Sequence, residues 1–386
     1  MTTIVGIDVS SKKANYHILN IGGAQGSAGS FMMDYEGFTS LLSQTNITSD
    51  SMFIMESTGV YHLPLQNYLL HEGKKTITVN PVLVKKFSAA QTLRKTKTDK
   101  ADAFMIASFG EAHMKDIESK RIKMSKDTQA KAFARRRQEI AEDIARAKTQ
   151  LKSDLSIAWP EILVINVFTD SMLTFLSHYG CAEEVLASSN EELLTVFSHQ
   201  RGRSTSFSIE KLKDLSRNSI GVPHFADLVK DSAKKIITLN SRIGKLTEAL
   251  VEHEKEFHKA EIEILTSMPG IGDVTASHFM AEIEDITRFN SYQQLIAFIG
   301  TDPAIYQSGM AFKNGRITKH GNKNLRKYCY LMAQKSVIYN PVFREYYDKK
   351  RGEGFPHRKA MIAVLNKMLK VIFALLTKGE TFKRDV

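Results

Sequence analysis

Two long runs of regularly spaced apolar residues most constrain the fold of this 386-residue chain. The first run predicts a helix from about Asp127 to Pro160, where proline ends it. The second run predicts another long helix, with a heptad seam typical of a coiled coil. Its seam positions are Ile236, Leu239, Ile243, Leu246, Leu250 and Phe257. The spacing fits either an antiparallel pair within one chain or the seam of a dimer.

The residues before the first long helix alternate between short β-branched runs and helical stretches. TIVGIDVS, ANYHILNI and a third extended segment near 27–33 predict an antiparallel meander. Strands at 52–57 and 75–80 then alternate with helices. This order predicts a mixed α/β sheet covered by helices.

Four carboxylates occupy positions that indicate either an electrostatic partner or a functional role. Asp8 ends or nearly ends the first apolar strand, and Glu56 ends the next buried-looking strand, just before the turn STG. Asp99 and Asp102 begin a predicted helix, and their i, i+3 spacing puts both on one face. Strand ends and one helical turn can meet at one sheet edge, so the four acids are candidate ligands for one or two Mg²⁺ ions. Each acid alone also fits a structural role, such as complementing a helix dipole.

A basic, glycine-bearing segment near the carboxyl terminus carries the second group of candidate residues. Ser308 lies in a predicted polar loop within residues 301–333, although Ser-Gly is also ordinary turn chemistry. A serine hydroxyl on a glycine-permissive backbone, flanked by cations, suits attack on a phosphodiester. Nine of the eleven net positive charges lie in residues 267–386, which predicts a polyanionic partner. The candidate nucleic-acid contacts here are Gly309, Lys313, Arg316, Lys319, Lys323 and Arg326.

Two further segments are candidate nucleic-acid contacts. MPGIG at 268–272 predicts a helix-hairpin-helix turn, whose backbone amides at Gly270 and Gly272 can hold a phosphate. A tight helix connection without a ligand is the alternative. Arg135 and Arg136, in the first long helix, are the other candidates, although exposed basic runs are often only solvated.

The two cysteines and the amino terminus bear on the compartment. Cys181 and Cys329 are far apart, which predicts no disulfide framework or cysteine-based zinc site and fits a reducing environment. The amino terminus lacks a secretory pattern, and lysines interrupt the most apolar stretch, residues 361–376. We therefore expect a cytoplasmic protein with no membrane partner.

Two motif sets resemble the IS110 family of transposases. VGIDVSSKKANYHIL, IMESTGVYHLPLQNYL and RKTKTDKADAFMIA are similar to the family's N-terminal RuvC-like domain of ribonuclease-H fold. The segment around Ser308 is similar to its C-terminal pattern SG…G…I.K.G…LR. The resemblance places the DEDD signature on Asp8, Glu56, Asp99 and Asp102.

This resemblance implies an α/β plus all-α chain in three parts. They are a RuvC-like domain at 1–124, a helical coiled-coil segment at 125–264 and a helical transposase domain at 265–386. The implied activity is to cut and rejoin DNA through a phosphoserine at Ser308, assisted by Mg²⁺ at the four acids. The implied partners are donor and target DNA, a bridge RNA encoded by the element, and further copies of the chain in a dimer or tetramer. The implied setting is a prokaryotic cytoplasm, at the nucleoid.

Three alternatives stay open on the residues alone. A metal-dependent RuvC-like nuclease or Holliday-junction resolvase would use the acids without serine chemistry. A phosphotransferase of the sugar-kinase and actin-like superfold also begins with GIDVS, but this chain has no second glycine-rich phosphate loop. A nucleic-acid-binding protein without catalysis would leave four well-placed acids unexplained.

Overall fold

The computed structural model describes residues 3–20, 26–45, 47–56, 60–79, 81–91, 99–115, 128–198, 209–308, 311–319 and 321–383. The chain forms two compact units that divide between Lys126 and Asp127. Each unit has its own hydrophobic core.

The N-terminal unit is built on a five-stranded mixed sheet. Its elements are β1 (Thr3–Val9), β2 (Lys13–Asn20), β3 (Ala28–Met32), α1 (Tyr35–Leu42), β4 (Met52–Glu56), α2 (His62–His71), β5 (Lys75–Val79), α3 (Pro81–Gln91) and α4 (Asp99–Ala112). The strand order is β3-β2-β1-β4-β5; β1, β2 and β3 pair antiparallel, and β4 and β5 extend the sheet parallel to β1. The predicted meander followed by alternating strands and helices is confirmed.

Side chains of the central strands alternate between two apolar layers. Val5, Ile7 and Phe53 enter the layer that α1 and α2 complete. Ile4 and Ile54 enter the opposite layer, with residues of α4. Strands buried on both faces are expected to be nearly continuous apolar runs, which explains the composition of TIVGIDV and MFIME.

In its described residues, the larger unit is helical apart from one hairpin. Its elements are α5 (Thr128–Ala158), a 3₁₀ turn (Pro160–Val164), α6 (Asp170–Leu176), α7 (Ala182–Ala187), α8 (Asn190–Ser198), α9 (Ile209–Arg217), a 3₁₀ turn (Pro223–Phe225), α10 (Ala226–Phe257), α11 (Lys259–Thr266), α12 (Asp273–Ile283), a 3₁₀ turn (Ile286–Arg288), α13 (Tyr292–Ile299), β6 (Pro303–Ser308), β7 (Ala311–Ile317), α14 (Lys323–Tyr339), α15 (Pro341–Gly352) and α16 (His357–Lys378). The expectation of an all-helical transposase domain is therefore wrong at β6 and β7. Their β-prone residues flank a two-residue connection, which is a hairpin arrangement.

Helices α5 and α10 pack against each other within the chain as an antiparallel pair. Arg137 Nε donates to Thr247 Oγ1 at 2.6 Å, and Ser232 Oγ donates to Asp154 Oδ2 at 2.6 Å, so the residue numbers run in opposite directions. Apolar residues of both helices fill the seam between them. The predicted seam position Phe257 is instead 63% exposed, because α10 ends there. We call α5, α10 and the residues between them the arm.

The residues between α5 and α10 form a small helical lobe around Trp159. The indole is fully buried, and its Nε1 donates to the carbonyl of Leu215 at 3.3 Å. Apolar residues of α6, α7, α8 and α9 join the same core as the seam of the arm. The lobe is therefore continuous with the arm in packing.

Helix α16 is the core helix at the carboxyl-terminal end. Within the described residues it is the one helix long and apolar enough, by length and composition, to cross a membrane. Its apolar face packs in one cluster with residues of α12 and α14. Its members in that cluster are Met361, Val364, Leu365, Met368, Leu369, Ile372 and Leu376. Such packing on protein is typical of a buried core helix.

Candidate active site

Asp8 is the second-last residue of β1 and Glu56 the last residue of β4, and these two strands are parallel neighbours in the N-terminal sheet. Ile7 pairs with Met55 in register, and the two acids are the next residue on each strand. Since side chains alternate along a strand, both acids share the sheet face of Ile4 and Ile54, against which α4 packs. Both acids are half-buried. The sheet thus places two carboxylates side by side at its carboxyl edge.

Gly6 lets α4 lie directly on β1. A Cβ at this position would lie 2.5 Å from the carbonyl oxygen of Ala103 and closer still to the backbone nitrogen of Ala107. Further along α4, a Cβ at Gly110 would meet the side chains of Ile54 and Ile4. Helix α4 therefore runs antiparallel to β1, and its amino terminus lies at the carboxyl ends of β1 and β4.

The amino-terminal turn of α4 supplies the other two predicted acids. Asp102 directly precedes Ala103 and is half-buried. Asp99 is the first residue of α4, at the same end, and its side chain lies outside the described part. Asp8, Glu56 and Asp102 each take part in a polar or electrostatic interaction. The fold brings these positions to one edge, where carboxylate oxygens are the ligands that Mg²⁺ prefers.

The described side chains alone do not complete a metal site. Among them, no three His, Cys, Asp or Glu side chains come close enough together to hold a metal ion. That set does not include the Asp99 side chain. The donor chemistry of the acids nevertheless fits a hard divalent cation.

Ser308 is the last residue of β6 and pairs with Ala311, the first residue of β7. The predicted polar loop is therefore a β-hairpin in the structure. Gly309 lies outside the described residues, as do the side chains of Ser308 and of residues 311–316. Lys313 and Arg316 are accordingly placed only as positions of β7.

Hydrogen bonds hold the base of this hairpin firmly. Thr318 donates its Oγ1 to Asp302 Oδ1 at 2.6 Å and its backbone N–H to the Asp302 carbonyl at 3.0 Å. Thr301 is fully buried and donates its Oγ1 to Asn366 Oδ1 of α16 at 2.7 Å. These bonds fix the direction in which β6 and β7 leave the helical body.

The three predicted contacts that follow β7, Lys319, Lys323 and Arg326, are not equivalent. Arg326 donates Nη1 to the carbonyl of Ile299 at 2.8 Å, which ties α14 to the end of α13. Lys319 is exposed, has a φ of 56°, and donates its backbone N–H to the carbonyl of Gly300. Lys323, at the start of α14, is also exposed. Lys319 and Lys323 can therefore reach a ligand, whereas the Arg326 guanidinium is already hydrogen-bonded to the end of α13.

The buried carboxylate of Glu282 connects the hairpin base to the arm. Asn322 Nδ2 donates to Glu282 Oε2 at 2.6 Å, while Asn322 Oδ1 caps α14 by accepting from the backbone N–H groups of Asn324 and Leu325. Arg135 of α5 donates Nε to Glu282 Oε1 at 3.4 Å. Sequence reasoning missed Glu282 and Asn322, and only the asparagine before a helix could have signalled a cap.

The remaining predicted contacts also have local roles. Arg136 forms an ion pair with Glu139 at 3.0 Å on the outer face of α5. Gly270 has a φ of 98°, and a Cβ there would lie 2.6 Å from the backbone of Lys335 in α14. The predicted helix-hairpin-helix turn connects α11 to α12, with an exposed Gly272 before α12. Gly270 thus serves close packing, and a phosphate contact at this turn stays a prediction.

A second buried polar cluster lies beside Glu282. The His278 ring stacks on Tyr328 with centroids 3.7 Å apart, and Arg137 Nη1 donates to Tyr328 Oη at 3.3 Å. Burial first, and then the charges of Arg137 and Lys327, together lower the pKa of His278 from its ordinary value of 6.5 to about 3. The imidazole is therefore neutral in the folded protein at neutral pH.

Two family models match the chain in the same order as the two candidate sites. Residues 5–160 match the DEDD model of IS110, described as Transposase. Residues 262–348 match the model described as Transposase IS116/IS110/IS902 family. The chain belongs to the IS110 family of transposases.

Relatives within this family differ in how much of the chain they cover. A 42 kDa protein of insertion element IS900 from Mycobacterium paratuberculosis is 34% identical over 152 residues, which is 39% of this chain and 38% of that protein. A 43.6 kDa protein of IS110 from Streptomyces coelicolor is 23% identical over 293 residues, 74% of this chain and 72% of that protein. The pilin gene-inverting protein of Moraxella bovis is 23% identical over 345 residues, 88% of this chain and 84% of that protein.

The two matched segments of this IS110-family transposase fall on its two candidate sites. The first contains β1, β4 and α4 with their acids, and the second contains the hairpin of Ser308. Residues 161–261, which include the lobe and α10, lie between them. Membership of this family places the protein among DNA transposases and recombinases.

Proposed function

We propose that this protein cuts and rejoins DNA strands through a transient phosphoserine bond at Ser308, assisted by a divalent metal site at Asp8, Glu56, Asp99 and Asp102. The carrying observation is that the chain matches the family at both sites. The strand order β3-β2-β1-β4-β5, with three antiparallel strands followed by two parallel ones, supports a RuvC-like, ribonuclease-H assignment for the N-terminal part.

The proposed chemistry is an exchange of phosphodiester bonds. The Ser308 Oγ attacks the phosphorus of one DNA linkage, its proton leaves to solvent, and the bond from phosphorus to the departing deoxyribose oxygen breaks. That oxygen takes up a proton. Rejoining reverses the exchange, because a DNA hydroxyl attacks the phosphoserine and releases the serine. A divalent ion bound by the four acids would supply stabilisation of negative charge on the phosphate.

The chain's own residues position the serine for this step. The bonds from Thr318 to Asp302 and from Thr301 to Asn366 hold the hairpin base. Holding a reacting group in a fixed direction lowers the entropic part of the barrier. Lys319 and Lys323, both exposed beside this base, support contact with the DNA backbone.

The partners and assembly follow the family and stay part of the proposal. We propose donor and target DNA as substrates, an element-encoded bridge RNA as guide, a dimer or tetramer as the working form, and action at the prokaryotic nucleoid. The pilin gene-inverting relative is named for a DNA rearrangement, which supports the substrate class. We propose domains at 1–124, 125–264 and 265–386, of which the last two pack into one compact unit.

A covalent-adduct assay tests the function. Purified protein is mixed with Mg²⁺, RNA from the flanks of the element, and end-labelled donor and target duplexes. A labelled species that survives denaturant and disappears with protease is the expected phosphoserine adduct. We expect it in the wild type and not in Ser308→Ala or Asp102→Asn.

Matched variants decide between this mechanism and a metal-only nuclease. Ser156→Ala on the exposed side of α5 and Asp231→Asn on the exposed side of α10 should both form the adduct at the wild-type rate. If Ser308→Ala still cleaves DNA and the wild type forms no adduct, the serine mechanism is wrong. A RuvC-like nuclease or Holliday-junction resolvase would then take its place.

A further inference from the structure

Three lysines of α16 hold their ammonium groups over aromatic rings. The distances from Nζ to the ring centroid are 4.0 Å for Lys359 over Phe355, 4.3 Å for Lys367 over Tyr346 and 5.4 Å for Lys370 over Tyr292. A cation–π contact orients the ammonium group without cancelling its charge. We call these three lysines and three rings the lysine–aromatic surface.

The charge of this surface is not compensated by neighbouring acids. In the part of the chain that the structure describes, Lys359, Lys367 and Lys370 form no ion pair. Neighbouring cations do: Lys350 pairs with Glu353 at 2.7 Å, and Arg344 pairs with Asp348 at 2.8 Å. Lys359 and Lys370 are exposed. The surface therefore presents oriented positive charge to solvent.

The surface flanks the base of the Ser308 hairpin. With 3.6 residues per turn, Lys359, Asn366 and Lys370 lie within about 40° of one another around α16. Asn366 accepts the hydrogen bond from Thr301, two residues before β6. At 1.5 Å per residue, Lys359 lies about 10 Å to one side of this bond along the helix and Lys370 about 6 Å to the other.

We propose that the lysine–aromatic surface binds the phosphate backbone of a DNA duplex and seats it beside the Ser308 hairpin, without reading base sequence. This inference rests on the proposed function, because the hairpin it flanks is the one proposed to attack DNA. Ammonium groups act as point charges toward phosphates and carry little sequence information. Duplex DNA is favoured over RNA because the surface flanks the base of the hairpin that carries Ser308, the residue proposed to attack DNA.

A purely structural role for these contacts makes a different prediction. If the lysines only brace α15 and α13 against α16, their replacement lowers stability and leaves DNA affinity intact. If they bind phosphate, replacement lowers affinity and also the dependence of affinity on salt, since each phosphate contact contributes a slope of about 0.9 in log–log form. Salt dependence therefore separates the two roles.

The test measures binding of the full chain to a fluorescent duplex of unrelated sequence, without metal and RNA. Lys359→Gln and Lys370→Gln should each weaken binding roughly eightfold at 0.1 M salt, and the double variant should reduce the salt slope by nearly 2. Lys370→Arg should restore binding. Lys350→Gln is the matched control, because Lys350 contacts the rings of Tyr346 and Phe355 but is already paired with Glu353.

The outcomes separate this proposal from the proposed function. The proposal is wrong if the double variant keeps the wild-type DNA affinity and salt slope. It is also wrong if Lys350→Gln loses as much DNA affinity as the other variants. A loss seen with an RNA duplex and not with DNA assigns the surface to RNA and also overturns the proposal. The binding assay contains no metal and needs no strand cleavage, so a failed adduct assay leaves this binding result standing. Unfolding midpoints of all variants show whether a loss comes from misfolding.

Discussion

The side-chain amide of Asn322 donates a 2.6 Å hydrogen bond to the carboxylate of Glu282, which is only 1% exposed. The oxygen of the same amide caps α14. One side chain therefore satisfies a buried charge and a helix end together, and it does so immediately after the Ser308 hairpin. The position of α14 relative to α12 depends on this residue.

Replacing Asn322 by alanine should lower the free energy of unfolding by about 2–4 kcal/mol, the sum of a lost helix cap and a lost hydrogen bond to the buried Glu282 carboxylate, which keeps its contact with Arg135. Urea unfolding followed by circular dichroism measures the loss. Asn324→Ala is the control, since that side chain makes no hydrogen bond within the described residues. Similar losses in the two variants would contradict the assignment.

Asn322→Asp tests the contact with Glu282 separately from the helix cap. Aspartate keeps the cap acceptor but places a second carboxylate against Glu282, and like charges raise the pKa of such a pair. An acid with a raised folded pKa favours the fold at low pH. The variant should therefore gain stability relative to the wild type as pH falls from 7 to 5, and a constant difference would rule this out.

His278 should make stability depend on pH in the opposite sense. Its folded pKa is about 3 against an ordinary value of 6.5, because burial and nearby cations disfavour the imidazolium. Between these values the unfolded chain binds a proton that the folded chain does not, so stability is present above pH 6.5 and is lost as pH falls. The loss is about 1.4 kcal/mol per pH unit, or about 2 kcal/mol at pH 5. Urea unfolding at pH 7.5, 6 and 5 should show that His278→Gln loses less stability than the wild type as pH falls. The same pH dependence in both proteins would refute the prediction.

Gly6→Ala should disrupt the acidic site through packing. The new methyl group would overlap the backbone of α4 at Ala103, so α4 must move away from β1 and carry Asp102 with it. We expect a loss of about 1–3 kcal/mol in the N-terminal unit. Adduct formation should fall sharply while binding to unrelated duplex DNA stays at the wild-type level. Full adduct formation in Gly6→Ala would show that this close packing is not needed.

Gly244→Ala should instead raise the free energy of unfolding. Gly244 lies inside α10, and a Cβ there would meet no atom within 4 Å. Alanine costs less backbone entropy in a helix, so the variant should be more stable by about 0.5–1 kcal/mol. Thermal unfolding under matched conditions measures the gain, and a lowered midpoint would indicate a partner on this face of the arm.

Local pattern was enough to predict elements that have an uninterrupted apolar run or a clear helical period. The strand predicted at 52–57 is observed at Met52–Glu56, and the helix predicted to end before Pro160 ends at Ala158. The hairpin of Ser308 was not predicted, because PAIYQS and AFKNGRI lack the regular alternation of apolar and polar residues that indicates a strand. Its anchor to Asn366 lies 65 residues from Thr301.

Contacts between residues far apart in the sequence determine the features that local pattern could not predict. Arg135 looked like a free cation, yet its partner Glu282 lies 147 residues further along the chain. The choice between a dimer seam and an antiparallel pair for the two long helices likewise depended on which apolar faces meet in space. Heptad spacing describes one helix at a time, so it left that choice open.

The arm leaves and returns to the helical body at one place. Ala134 near the start of α5 and Leu250 near the end of α10 pack in one small cluster with Ala281 of α12. Equal numbers of residues can therefore be removed from or added to α5 and α10 beyond this cluster, while the two points of attachment keep their separation. Seven residues added to each helix would move the lobe outward by about 10 Å. Residues 161–261, which lie between the two segments that the family models match, therefore include the part of the arm in α10 whose length can change while both points of attachment stay in place.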